Sequence, residues 1–161
     1  MSTRARGRIV DDIAGLRRIL ATHRTIAVVG LSAHWHRPSY FAAKYMQEHG
    51  YRVIPVNPQY QDVLGERCHP SIAAIPEAVD IVDVFRRASE MPSIAREAVA
   101  KGAKVLWMQL GVASDEAARI AIDGGLDVVQ NRCVKIEHAR ILGGLNWCGV
   151  NTGIVSARRP A

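Results

Sequence analysis

The sequence predicts an α/β fold of the doubly wound, Rossmann-like kind, with a mostly parallel five-stranded sheet and helices on both faces. Short apolar runs rich in β-branched residues recur along the chain, and segments with helical spacing separate most of them. Continuously apolar strands that alternate with helices are typical of a parallel sheet covered on both faces. The chain has 161 residues, which is the length of one domain with a sizeable core.

Five apolar runs are predicted to be the strands of this sheet. Trp107 and Met108 lie inside the fourth run and are expected in the core, whereas Asp80 and Asp83 in the third run are expected to form ion pairs. The runs are TIAVVGL at 25–31, YRVIPVN at 51–57, VDIVDVF at 79–85, KVLWMQL at 104–110 and LDVVQN at 126–131.

Apolar residues with helical spacing predict helices before, between and after the strands. The first is expected at 9–23, and others start near Pro38, near Pro92, after Ser114 and near Lys135. Proline suits the first helical turn, where its missing N–H costs nothing. Ser114 precedes two acidic residues, which is typical of a capped helix start.

Two parts of the chain do not follow this alternation. Segment 58–79 is rich in proline and is predicted to carry only a short helix near Ser71–Ile75, and 143–161 is rich in glycine and predicted to be an irregular tail. We therefore divide the chain into a basic N-terminal arm and helix at 1–24, a Rossmann-like domain at 25–142, and the tail at 143–161.

The net charge of +6 comes from the two ends of the chain. Residues 1–24 contain six arginines and two aspartates, and Arg158 and Arg159 add two further positive charges, so that the body between them is neutral. A nucleic-acid-binding protein usually carries its excess charge on the folded body. Nucleic acid is therefore not the expected partner, although an interaction module with a basic arm stays an alternative.

The sequence contains neither a membrane-spanning run nor a disulfide framework. No apolar run approaches 18 residues, and Asp11 and Asp12 interrupt what would be the apolar part of a signal peptide. Cys68, Cys133 and Cys148 are odd in number and form no CxxC pair, which is typical of reduced thiols. We expect a cytoplasmic protein with no membrane partner.

Metal binding and thiol catalysis receive little support from the sequence. His34 and His36 have a chelating spacing, but no set of four ligands surrounds them. Cys133 adjoins Arg132 and Lys135, an electropositive setting that can activate a thiolate, yet most cysteines are small buried apolar residues. We expect no metal site and assign no catalytic residue.

The residues that follow the strands are the candidates for ligand binding. Ligands of such sheets bind at the carboxyl ends of the strands, near the point where the strand order reverses. Gly30 permits a close approach of the main chain after the first strand. The loop then enters a helix at Pro38 or Ser39, whose N–H groups can hold a phosphate, and Arg37 lies at this helix start.

The absence of two known phosphate-binding motifs and of one carboxylate limits the types of phosphate ligand that the sequence favours. Neither the dinucleotide fingerprint GxGxxG nor the P-loop pattern occurs. The second strand ends in Val56, Asn57 and Pro58, without the carboxylate that would bind the ribose of NAD. This pattern favours a nucleotide with extra phosphates, and an NAD(P)-dependent oxidoreductase with a degenerate phosphate loop stays an alternative.

Five motifs, in order over about residues 20–140, resemble the small stand-alone CoA-binding protein family: GLSAHWHRPSYFAAKYM, GYRVIPVNP, VDIVDVFRR, WMQLGV and NRCVKIEH. The fold of that family is similar to the N-terminal CoA-binding domain of the succinyl-CoA synthetase alpha subunit. The resemblance implies that 25–142 binds CoA or acyl-CoA. The synthetase reaction needs a phosphorylated histidine in a second domain, for which this sequence leaves no room, so the resemblance implies binding without catalysis.

The resemblance also implies a site along the strand ends, with phosphates at the first loop, adenosine at the second and third strands, and pantetheine at the fourth. It assigns no role to His34, Trp35 and His36. A homodimer is a further candidate, since the apolar stretch Gly-Leu-Asn-Trp at 144–147 needs cover. The implied site residues are Gly30, Leu31, Ser32, Ala33, Arg37, Pro38, Ser39 and Tyr40, then Val56, Asn57 and Pro58, then Val84, Phe85, Arg86 and Arg87, and finally Gln109, Leu110 and Gly111.

Overall fold

A computed structural model describes residues 5–143 of the protein. The predicted tail, apart from its first residue, and the apolar stretch at 144–147 therefore lie outside the described residues, as does Cys148. None of the helices found within residues 5–143 is long and apolar enough to cross a lipid bilayer.

The core of the protein is a five-stranded sheet, as the sequence predicts, and all of its strand pairs are parallel. Its order is β2-β1-β5-β6-β7, so the chain leaves β1 first toward one edge and then toward the other. The strand order therefore reverses at β1, and the loops that follow β1 and β5 diverge there. The strands are β1 at Thr25–Val29, β2 at Arg52–Val56, β5 at Ile81–Val84, β6 at Val105–Met108 and β7 at Asp127–Val129.

Five helices cover the sheet, and their starts follow the capping chemistry of the sequence. Pro38 occupies the first turn of the second helix, and the Ser114 hydroxyl accepts the N–H of Ala117 at 3.2 Å at the start of the fourth. The helices are α1 at Ile13–Thr22, α2 at Pro38–Glu48, α3 at Met91–Lys101, α4 at Asp115–Asp123 and α5 at Val134–Ile141.

Alternation along the strands sends side chains into two separate cores. Ile26 and Val28 of β1 pack in one core with apolar residues of α1, α2 and α5, and Ala27 and Val29 pack in the other with residues of α3 and α4. Trp107 faces the first core and is fully buried, with its indole N–H donating to the carbonyl oxygen of Arg132 at 2.8 Å. Burial of each such side chain contributes about 1.5–3 kcal/mol to the free energy of unfolding. The two cores lie on opposite faces of the sheet, so the prediction of helices on both faces is confirmed.

The first helix begins later than the periodicity predicts. Residues 9–12 are not helical. The N–H of Val10 donates to the carbonyl oxygen of Val128 at 2.8 Å, and the N–H of Val128 donates to the carbonyl oxygen of Arg8 at 2.9 Å. This segment lies beside β7 in parallel and satisfies an otherwise open strand edge. The prediction of helix from residue 9 is therefore wrong, and α1 starts at Ile13 behind the capping residue Asp12.

The proline-rich segment 58–79 also differs from its prediction. It forms a short antiparallel hairpin of β3 at Asp62–Val63 and β4 at Glu66–Arg67, with positive φ angles at Leu64 and Gly65 in the turn. Such two-residue turns require left-handed backbone conformations. The expected short helix near Ser71–Ile75 is wrong. That stretch is a turn, in which the Ser71 hydroxyl accepts the N–H of Ala74.

Candidate functional site

Two adjoining cavities open at the carboxyl ends of β1, β2, β5 and β6. The polar cavity has a volume of about 410 Å³ and the apolar cavity about 770 Å³, and Pro38 and Phe85 line both. The polar cavity is lined by Gly30, Ser32, His34, Arg37, Pro38, Ser39, Asn57, Gln59, Tyr60 and Phe85. The apolar cavity is lined by Pro38, Phe85, Arg86, Arg87, Glu90, Gln109, Leu110, Val112, Cys133 and Ile136.

The loop after β1 brings its main chain directly against the polar cavity. Gly30 has a φ of 84°, and a Cβ at this position would lie 2.5 Å from the carbonyl oxygen of Phe85. The N–H of Ser32 donates to the Ser39 hydroxyl at 3.1 Å, and the N–H of His34 donates to the Ser32 hydroxyl at 3.1 Å. These bonds tie the loop to the first turn of α2 and hold its shape.

The start of α2 faces the same cavity. Arg37 is the residue before the helix, has extended backbone angles, and makes no capping hydrogen bond with its side chain. The first N–H groups of a helix lack partners within the helix and carry the positive end of its dipole. Pro38 has no N–H, and the N–H of Tyr40 donates to the carbonyl oxygen of Arg37 at 3.0 Å, so the main-chain donor that this helix start offers an anionic ligand is the N–H of Ser39.

Three arginines provide positive charge around the two cavities. Arg37, Arg86 and Arg87 form no ion pair with any carboxylate among residues 5–143. The Nε of Arg86 lies 3.1 Å from where a Cβ of Gly30 would be, so its guanidinium stands beside the glycine turn. Glu90 is the one carboxylate in the two linings, and it accepts the main-chain N–H of Arg87 at 3.4 Å. The site is therefore electropositive.

Asn57 holds the end of β2 to the loop after β1. Its side chain is buried, and its amide donates to the carbonyl oxygen of Leu31 at 3.2 Å while its side-chain oxygen accepts the N–H of Gln59 at 3.0 Å. The Cys68 thiol donates to the main-chain oxygen of Asn57 at 3.2 Å. The Asn57 side chain thus helps to form the wall of the polar cavity. An NAD-binding protein would carry a carboxylate at this position, the end of the second strand.

Asp83 and Gln109 form a buried pair under the apolar cavity. Asp83 is 1% exposed and Gln109 is 5% exposed, and the Gln109 side-chain amide donates to the Asp83 carboxyl group. Burial raises the pKa of Asp83 from 3.8 to about 7, although the amide hydrogen bond opposes the shift. The ion pair expected for Asp83 is therefore wrong, because a neutral amide is its partner.

Cys133 lines the apolar cavity at the start of α5. Burial raises the pKa of the Cys133 thiol, and this outweighs the hydrogen bonds from the main-chain N–H groups of Ile136 and Lys135 that would favour the thiolate. A raised pKa keeps the group as a neutral thiol at physiological pH. Residues 5–143 also contain no cluster of three side chains suited to hold a metal ion.

The structure brings most of the residues implied by the resemblance to the two cavities. Leu31, Val56 and Val84 are buried beneath the linings. Tyr40 lines a separate groove of about 340 Å³ that also includes Trp35. The implied residues found in the two linings are Gly30, Ser32, Arg37, Pro38, Ser39, Asn57, Phe85, Arg86, Arg87, Gln109 and Leu110, and those outside every lining described here are Leu31, Ala33, Pro58, Val56, Val84 and Gly111.

Several lining residues are absent from the implied set. Cys133 follows the fifth strand, so the position of strand ends could have indicated it, whereas Ile136 is brought to the cavity only by the packing of α5. Glu90 lies in a short 3₁₀ turn before α3, for which the sequence shows no signal. The missed lining residues are His34, Gln59, Tyr60, Glu90, Val112, Cys133 and Ile136.

A parallel sheet whose order reverses at β1, with a glycine turn, a helix start and arginines without carboxylate partners among residues 5–143 at that point, defines a Rossmann-like α/β domain with an electropositive cleft. The family model described as CoA binding domain matches residues 24–139. The chain belongs to this family, and the resemblance seen in the sequence motifs is confirmed.

Known relatives include both small proteins and larger ligases. YneT of Bacillus subtilis, described as an uncharacterized protein, is 39% identical over 126 residues, which are 78% of this chain and 93% of YneT. The solved structure of a hypothetical protein from Pyrococcus horikoshii superposes on this one with a TM-score of 0.80 and 41% sequence identity. The match covers 83% of this chain and 94% of the Pyrococcus chain. ADP-forming acetate–CoA ligase I of Archaeoglobus fulgidus is 29% identical over 76% of this chain, and the match spans 18% of the ligase.

Proposed function

We propose that the protein binds CoA or acyl-CoA across the two cavities and does not itself catalyse a reaction. The observation that carries this proposal is the direct junction of an electropositive polar cavity with a larger apolar one. CoA has the same division, with a phosphorylated nucleotide at one end and a long pantetheine arm ending in a thiol. Membership of the CoA binding domain family supports the same ligand.

The polar cavity suits the phosphate groups of CoA. The diphosphate would lie against the main chain of Gly30 and Ser32 and the start of α2, with Arg37 and Arg86 beside it. A guanidinium forks onto phosphate oxygens with two hydrogen bonds, which gives both charge neutralisation and orientation. The adenosine would then lie toward Asn57 and Phe85.

The apolar cavity suits the pantetheine arm and an acyl group. Leu110, Val112 and Ile136 provide apolar walls, and Gln109 contributes one amide. The thiol end would lie toward Gln109, Leu110 and Gly111. At 770 Å³ the cavity is within the size range of small-molecule sites.

Binding without catalysis is supported by the chemistry near the proposed thiol end. Burial raises the pKa of the Cys133 thiol, which disfavours a nucleophilic thiolate. Asp83 is fully buried and is held by Gln109, so it faces no reacting centre of its own. We also propose a cytoplasmic location and keep the homodimer as a prediction, which light scattering of the purified protein would test.

Calorimetric titration with CoA, acetyl-CoA, NAD and NADP in parallel tests the proposal. We expect CoA and acetyl-CoA to bind in the micromolar range or tighter, and NAD to bind weakly. Arg37→Ala removes a charge-assisted contact and should weaken CoA binding by about 1–3 kcal/mol. Arg119→Ala changes an exposed arginine of α4 outside the described cavities and serves as the matched control.

Three results would contradict the proposal in whole or in part. Binding of NAD(P) alone would favour the oxidoreductase alternative, and hydride transfer would then be the activity to measure. Binding of none of the four nucleotides would show that the site does not serve CoA. Equal weakening by Arg37→Ala and Arg119→Ala would move the phosphate contact away from the start of α2.

A further inference from the structure

Asp83 is a buried acidic side chain whose partner is an uncharged amide. It lies on β5 and faces the core between the sheet and the helices α1, α2 and α5, and within residues 5–143 it forms no ion pair. Burial of a carboxyl group without a cation costs free energy. Its contact with Gln109 is the one hydrogen bond of the carboxyl group among the described residues. Any role of the buried carboxyl group at the cavity must therefore act through Gln109.

The carboxyl group determines which way the Gln109 amide points. The atom of Gln109 that faces Asp83 is the donor Nε2, and the carboxyl group offers it an acceptor oxygen in either protonation state. Because the carboxamide is planar, Oε1 then points away from Asp83. Gln109 itself lines the apolar cavity.

The oxygen of Gln109 is unpartnered and reachable. Among the described residues, no hydrogen bond involves Oε1 of Gln109, and the one fully enclosed side-chain polar atom without a partner is Oε1 of Gln130. The Gln109 oxygen is therefore not fully enclosed, although the residue is only 5% exposed. It is an acceptor without a partner among the described residues, on a side chain that lines the apolar cavity.

We propose that Oε1 of Gln109 accepts an N–H from the arm of the ligand in the apolar cavity, and that Asp83 is a positioning residue that fixes this orientation. The proposal rests on the proposed function and specifies its chemistry. The arm must carry a secondary amide, as pantetheine does, because an arm with only ether or ester oxygens would place an acceptor against an acceptor. A site that leaves a buried acceptor unpaired disfavours such an arm.

The first test compares CoA with adenosine 3′,5′-bisphosphate, which has the nucleotide but lacks the pantetheine arm. Gln109→Met keeps an unbranched side chain of similar length and removes the amide. Loss of one hydrogen bond should weaken CoA binding about threefold to tenfold. Binding of adenosine 3′,5′-bisphosphate should stay unchanged, because its contacts lie in the polar cavity.

The second test asks whether Asp83 acts through Gln109. Asp83→Leu should weaken CoA binding about as much as Gln109→Met does. The double variant should bind CoA no more weakly than either single variant. Such non-additivity is the mark of two residues that act as one unit. Asp83→Asn retains a side-chain oxygen that can accept from Nε2 of Gln109, so this variant should keep the selectivity for CoA over the bisphosphate. It also allows the positioning role to be tested if Asp83→Leu does not fold.

The outcomes separate this proposal from the proposed function. If wild-type protein binds both nucleotides and Gln109→Met weakens them equally or not at all, the Gln109 proposal is overturned and CoA binding stands. Additive losses from Asp83→Leu and Gln109→Met, or loss of CoA selectivity in Asp83→Asn, would overturn the positioning role. If the wild-type protein binds neither nucleotide, the proposed function fails and this proposal fails with it.

Discussion

Gly30 is the position at which the loop after β1 comes closest to the neighbouring strand end. Its φ of 84° and the 2.5 Å between a virtual Cβ and the carbonyl oxygen of Phe85 both exclude a side chain. Gly50 has a similar φ of 91° but open space around it. The two glycines therefore separate the cost of backbone strain from the cost of a steric clash.

Gly30→Ala should lower the free energy of unfolding by about 1–3 kcal/mol more than Gly50→Ala, because only the first adds a clash to the strain. Urea unfolding of the two variants measures the difference. CoA binding should fall with Gly30→Ala alone. Equal destabilisation by the two substitutions would show that the loop after β1 moves away from Phe85 without penalty.

The raised pKa of Asp83 predicts that the free energy of unfolding decreases as the pH rises. Its pKa is raised by burial from 3.8 to about 7 in the folded state, so the folded protein binds the proton more tightly than the unfolded chain. This contribution to stability is therefore largest at acidic pH and falls as pH rises from about 4 to about 7, then stays level. The ionised carboxyl group is the form that costs folding energy.

Asp83→Asn removes this titration and keeps an acceptor for Gln109. Between pH 5 and pH 8 the free energy of unfolding of the wild type should fall relative to the variant by about 2–3 kcal/mol. Urea unfolding at the two pH values measures this difference. Parallel pH profiles for the two proteins would mean that Asp83 titrates near its ordinary range.

At the scale of elements, α5 joins the two helices that precede and follow β1. It packs against α1 and α2, and it buries Glu137 and Arg140, whose side chains form a close ion pair. Arg132 donates to the other oxygen of Glu137 at 3.3 Å and to the carbonyl oxygen of Asp11 at 3.2 Å. This network fixes the helix whose first residues line the apolar cavity.

Arg140→Met should destabilise the protein by about 3–5 kcal/mol, because it leaves the Glu137 carboxylate buried beside a single, partly exposed arginine. The double variant Glu137→Leu and Arg140→Met removes both charges and should recover much of that loss. Thermal and urea unfolding measure both variants. A double variant as unstable as Arg140→Met alone would contradict this expectation and show that the ion pair stabilises the fold in itself.

At the scale of the whole molecule, the N-terminal segment contributes to the core that contains Trp107. Val10, Leu16, Ile19 and Leu20 are buried in the same cluster as Trp107. Four buried apolar side chains at about 1.5–3 kcal/mol each approach the total stability of a domain. Two arginines of this segment, Arg17 and Arg18, lie on the exposed side of α1.

Deletion of residues 1–22 should therefore abolish the cooperative unfolding transition, as measured by circular dichroism on heating. Substitution of Arg17 and Arg18 by Glu should leave that transition unchanged, and it tests the alternative of a basic interaction arm without loss of the core. A stable, cooperatively folding deletion variant would support a division of the chain at residue 24. Loss of CoA binding in the Glu variant would show that the arm takes part in the site.

The sequence alone determined the five parallel strands, the helices between them and the position of the glycine turn after β1. These features follow from local signals: β-branched runs, helical spacing, proline at helix starts and Gly30 after the first strand. The hairpin β3–β4 escaped prediction because strands of two residues are too short to show a period. The motifs also led to the correct family.

Only the tertiary structure decided the features that depend on residues far apart in the chain. Asp83 and Gln109 lie on separate runs, and their contact arises only when β5 and β6 pair in register. The segment before α1 lies beside β7, and Ile136 reaches the apolar cavity through the packing of α5. Local periodicity reports which face of an element is apolar, whereas the partner across that face is selected by packing of the whole chain.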